Sequence, residues 1–124
     1  MTTAIADTAA LPTTDELRHL AKESLRKCGV DVDALLSADA SSIPARTPVT
    51  GEDLFTVRAA DSTDVGRAID AAHEAFLQWR VVPGPVRGQL VKRLGALLTE
   101  HKADVAALIS IEVGKIISEA LGEV

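Results

Sequence analysis

Apolar side chains return every third or fourth residue over most of this chain, and the places where that period breaks divide it into elements. Residues 1–13, rich in Ala and Thr, lack the period and are expected to fray. Thr14, followed by Asp15-Glu16-Leu17, reads as a helix start with acids in its first turn. Leu17, Leu20, Ala21, Ser24 and Leu25 keep helical spacing until Gly29, a C′ residue in character. A short second turn is predicted over residues 31–36, and residues 37–45, small and polar with Pro44, read as a linker.

The rhythm then changes. Arg46-Thr47-Pro48-Val49-Thr50 and Leu54-Phe55-Thr56-Val57-Arg58 are two extended runs flanking a turn marked by Gly51, the pattern of a β-hairpin. Pro48 has no N–H to give to a ladder, so its strand belongs at an edge. An isolated hairpin is marginal in water, so this one is expected to lean on other elements.

From Ser62 the helical period resumes. Asp61 or Ser62 can cap a helix to about Trp79 whose apolar face is Val65, Ala68, Ile69, Ala72, Phe76 and Trp79. Pro83-Gly84-Pro85 breaks the chain, and Pro85 suits the first residue of a helix carrying Val86, Leu90, Val91, Leu94, Leu97 and Leu98. A third helix is predicted over 104–113, stopped by Gly114, and a fourth from about Ser118. The fold class predicted is mainly α-helical with one N-terminal β-hairpin. Two parts are expected: residues 1–45, a helix and linker, and residues 46–124, hairpin plus helices. Ile116, Ile117, Ala120, Leu121 and Val124 form an apolar face with no stop signal after it, so the expectation is a fragment of a longer protein.

Composition narrows the function. The chain has 124 residues, of which 47% are hydrophobic and 25% charged, a globular balance rather than a disordered one. The net charge is −5 with both signs interspersed and no basic footprint. Phe55, Phe76 and Trp79 are the only aromatic rings, too few to stack successive bases, so no nucleic-acid partner is expected. One cysteine, Cys28, allows no internal disulfide and points to a reducing compartment. With no basic, apolar leader and no run of about 18 apolar residues, the expectation is a cytoplasmic protein with no membrane partner.

Side chains able to do chemistry are scattered. His19, His73 and His101 fall on three separate predicted helices, with no second ligand at i+4, so no metal site is expected. Cys28 sits near a helix C-terminus, where the dipole opposes a thiolate, and reads as a structural or surface thiol. Gly114-Lys115 shares only the end of a phosphate loop: no Gly lies five residues back and no Ser or Thr follows. Glu119 and Glu123, four apart, read as a solvated face. No catalytic, cofactor-binding or metal-ligating residue is assigned.

The order of small motifs is more informative than any one of them. Pro48-x-Thr50-Gly51-Glu52 is followed by Asp64-Val65, Ala68, Ala71-Ala72, Ala75-Phe76-x-x-Trp79-Arg80 and then Pro83-Gly84-Pro85-Val86-Arg87-Gly88. Leu94, Leu97-Leu98 and finally Glu112-x-Gly114-Lys115-x-x-x-Glu119-Ala120-x-Gly122-Glu123-Val124 complete the set. Over residues 46–124 this resembles the N-terminal region of the aldehyde dehydrogenase superfamily. The Arg46–Glu52 run and the Gly-Glu-Val at 122–124 look most like the branch that oxidises aminoadipate semialdehyde, or its cyclic form piperideine-6-carboxylate, in lysine metabolism. Residues 1–44 carry no such motif.

The resemblance implies an α/β parent about four times this length, with a Rossmann-type NAD domain to which residues 46–124 contribute the N-terminal part. It implies NAD as cofactor, with NADP as the alternative, an aldehyde substrate, and a homo-oligomer, dimer or tetramer. In such enzymes a cysteine attacks the aldehyde, hydride passes to NAD, a glutamate activates water, and an Asn side chain with the Cys amide holds the oxyanion. None of these residues lies in this chain, and Cys28 matches none of them, so the 124 residues are expected to be inactive alone. The matched residues read as structural: Phe76 and Trp79 are expected to lock their helix to its neighbours, Gly114 to supply a permissive turn, and Arg80 or, better, Arg87 to form a local salt bridge. Apolar helix faces left bare are expected to drive self-association. A second reading, from another class, is a free-standing helical module that pairs with intact dehydrogenase subunits.

Overall fold

The computed structural model describes residues 11–36 and 42–124. The expected fraying over residues 1–10, and the first part of the expected linker, 37–41, lie outside the described residues. Helix α1 (Thr14–Lys27) starts one residue earlier than the sequence suggests, because Thr13, not Thr14, is its cap. Thr13 accepts from the Glu16 N–H while the Glu16 carboxylate accepts from the Thr13 N–H at 2.8 Å, a reciprocal pair that satisfies two otherwise orphaned donors. Those bonds, from the Thr13 backbone first and then its hydroxyl, hold the Glu16 carboxyl below the usual glutamate range. A depressed carboxyl stabilises above its unfolded pKa and loses that contribution as pH falls through its folded one, so this cap weakens on acidification. Gly29, at φ 83°, follows the Cys28 C-cap as expected, and α2 (Val32–Leu35) is the predicted short turn, capped by Asp31.

The hairpin is displaced. Strand β1 is Ser42–Arg46, four of its five residues in the stretch expected to be linker, and pairs antiparallel with β2 (Asp53–Arg58) from Ser42↔Arg58 to Arg46↔Asp53, with a bulge at Ala45/Arg46. Residue 45, where the two parts were divided, therefore falls inside β1. Pro48 lies in the connecting turn and not in an edge strand. The physical reason is that Thr47 closes that turn, its N–H donating to the Glu52 carbonyl at 3.0 Å and its own carbonyl accepting from Gly51 at 2.9 Å. A fixed φ suits Pro48 to such a turn better than to a ladder. Both strands are edges of a two-stranded sheet, so Pro44 is tolerated in β1.

Helices α3 (Ser62–Trp79), α4 (Gly84–Glu100), α5 (Lys102–Val113) and α6 (Ile117–Glu123) follow. Asp61 caps α3 in a reciprocal pair with Asp64. In α4 Pro83 takes the cap position and Pro85 is the second helical residue, one place later than expected. His101 ends α4 and opens α5, which begins two residues before the sequence estimate.

The core is small and sits between α1, β2 and α5. Leu17, Ala21, Leu54 and Ile111 form it, with Val49, Phe55 and Leu108 packed around. Small buried side chains, Ala21 and Ser24 on α1 and Ala106 on α5, line the faces of these two packed helices. The hairpin leans on α1 as expected: the Arg18 guanidinium donates to the carbonyls of Leu54 and Asp53, and the Thr14 hydroxyl donates to Glu52 Oε2 at 2.6 Å. Helix α6 packs on α5, and its Ala120 is fully buried.

Candidate functional site

Two features stand out from the bland core. One is the turn between the strands, docked on the C-terminus of α5. The last four carbonyls of any helix have no partner inside it, and Thr47, wholly buried, donates its hydroxyl to the Ile111 carbonyl at 2.7 Å. Next to it Gly114 ends α5 in the left-handed region, φ 77°, with its N–H on the Ser110 carbonyl. Its α-carbon comes so close to the Pro48 ring that an added Cβ meets Pro48 Cγ at 2.9 Å. The turn and the helix end thus hold each other. Thr47→Val keeps the shape and removes the donor, leaving a buried carbonyl unpaired, so a loss of about 1–2 kcal/mol is expected. Thr47→Ser keeps the hydroxyl and should cost less than half of that. Urea midpoints of the two variants check the ordering.

The other feature is the surface of α3 and α4. Val65, Ile69, Phe76 and Trp79 on α3 are 49%, 64%, 53% and 39% exposed, and Leu90, Val91 and Leu94 on α4 are 59%, 69% and 56% exposed. The expectation that Phe76 and Trp79 lock α3 to its neighbours is therefore wrong for this chain. Periodicity identified the apolar side, but among the described residues no element covers it. The expected bare faces are present. Arg87 forms no ion pair among the described residues, because its neighbours at three and four positions, Pro83, Gly84, Leu90 and Val91, carry no acid. Arg80 instead lies over the Phe76 ring, 5.8 Å from its centroid.

The remaining candidates are dispersed. His19 and His73 lie on α1 and α3, His101 at the α4/α5 junction, and no group of three or more potential metal ligands occurs among the described residues. Cys28 is a free thiol at the C-cap of α1, pushed up first by burial and then by the Asp104 carboxylate, which Lys27 also faces at 3.7 Å. That is the setting of an inert thiol. Lys115 forms an ion pair with Glu123, leaving Glu119 as the other acid of α6. Gly114 is packed on Pro48 and Lys115 is engaged, so this turn is no phosphate cradle. An apolar cleft of about 200 Å³ between α1, the hairpin and α5 is lined by Leu25, Leu35, Phe55, Val57 and Leu108, with Glu112 its one ionisable group. No helix of the described residues is long and apolar enough to cross a membrane.

The model of the aldehyde dehydrogenase family matches residues 35–124. This chain belongs to the aldehyde dehydrogenase family. Among its relatives, N-succinylglutamate 5-semialdehyde dehydrogenase of Serratia proteamaculans is 48% identical over 77 residues, 62% of this chain and 16% of that protein. Malonate-semialdehyde dehydrogenase 2 of Geobacillus thermodenitrificans is 42% identical over the same length, again 62% of this chain and 16% of the relative. Alpha-aminoadipic semialdehyde dehydrogenase of Bos taurus is 38% identical over 77 residues, 62% of this chain and 14% of the relative. The chain thus spans about a sixth of the length of these aldehyde dehydrogenases. The family match begins at Leu35, just before the hairpin, and takes in the docked turn, the bare helices and α6.

Proposed function

We propose that these 124 residues are the N-terminal part of an NAD(P)-dependent enzyme that oxidises an aldehyde to a carboxylic acid, and that they carry none of its catalytic groups. The family match over residues 35–124 is the observation that carries this reading. Residues 46–124 then form the start of an NAD-binding domain of Rossmann type. The bare faces of α3 and α4 support it, since apolar stripes of this extent are faces that a larger domain buries. In the longer enzyme the docked turn braces α5 and α6, and the cysteine, glutamate, asparagine and dinucleotide loop come from residues beyond this chain. A homo-oligomer is the assembly proposed for it. Cys28, a free thiol, suits the reducing cytoplasm.

For substrate, we favour a semialdehyde that carries a second polar or charged end, aminoadipate semialdehyde being the first to try. The sequence ending Gly122-Glu123-Val124 and the run Arg46–Glu52 favour it. Relatives named for malonate and succinylglutamate semialdehydes are at least as similar in this region. Reading the gene past codon 124 tests the proposal. A frame continuing for several hundred codons through a cysteine is expected, and its product should reduce NAD or NADP with a semialdehyde while the 124-residue chain does not. A stop directly after Val124 overturns it and turns attention to pairing with intact dehydrogenase subunits.

A further inference from the structure

We draw no further inference here: the strongest candidate, the apolar cleft between α1, the hairpin and α5, belongs to a chain that spans about a sixth of the length of its relatives, and nothing in the structure shows what covers it.

Discussion

Gly114→Val is expected to lower the stability of this chain by about 3–4 kcal/mol, and Gly114→Ala by about 2 kcal/mol. Two costs add at this position. The first is conformational: Gly114 sits at φ 77°, which glycine adopts freely and a β-branched residue almost never does. The second is steric, because a Cβ here lies 2.9 Å from Pro48 Cγ, and a proline ring cannot swing aside as a lysine tip can. Gly51 separates the two costs. It has nearly the same φ, 76°, but nothing within 4 Å of an added Cβ, so Gly51→Ala carries only the conformational cost of about 1 kcal/mol. Pro48→Ala in the Gly114→Ala background removes the opposing atom and should recover part of the difference, a coupling of about 1 kcal/mol in a double-mutant cycle. Equal urea midpoints for Gly114→Ala and Gly51→Ala would show that the contact with Pro48 contributes nothing.

That contact marks the limit of what the sequence discloses here. Gly114 was legible as a helix stop, since Gly after an apolar helical run is the usual C′ signal. Its neighbour was not, because Pro48 is 66 positions away and nothing in a local pattern names a partner at that range. Thr47 is the same case: a threonine in a turn looks solvated, and only the tertiary arrangement shows its hydroxyl buried on the Ile111 carbonyl. The cap of α1 could have been placed correctly. Thr13 and Glu16 stand three apart, the spacing of a reciprocal cap, whereas a cap at Thr14 puts Leu17 at the third position. Strand β1 was missed because Ser42-Ile43-Pro44-Ala45-Arg46 is short, carries a proline and has one large apolar residue. It is a strand because β2 offers it a partner, not because of its own propensity. The helices of residues 62–123 were legible to within one or two residues, being long, periodic and punctuated by Asp61, Pro83-Gly84-Pro85 and Gly114. What periodicity could not say is whether a face it marks as apolar has anything to pack against.

That last distinction has a measurable consequence. Leu54→Ala is expected to cost about 2–5 kcal/mol, while Phe76→Ala, although it removes a larger side chain, should change stability by less than about 1 kcal/mol. Leu54 is 5% exposed and belongs to the one cluster that joins α1, β2 and α5, so its deletion opens a cavity that the backbone, tied down by Arg18 on the Leu54 carbonyl, cannot readily close. Domains are held by only about 5–15 kcal/mol, and a core this small belongs at the lower end. A loss of 3 kcal/mol shifts the folded-to-unfolded ratio by about 150-fold, so the variant should be largely unfolded at moderate temperature. Phe76 is 53% exposed and loses mainly its contacts with Arg80 and His73, 5.8 and 6.5 Å from ring centre to group. Urea titrations followed by circular dichroism check both values. Equal losses would mean that the α3 stripe is already covered within the single chain. A large loss confined to Leu54 places the stability of this chain in the α1–β2–α5 cluster and leaves the apolar faces of α3 and α4 outside it.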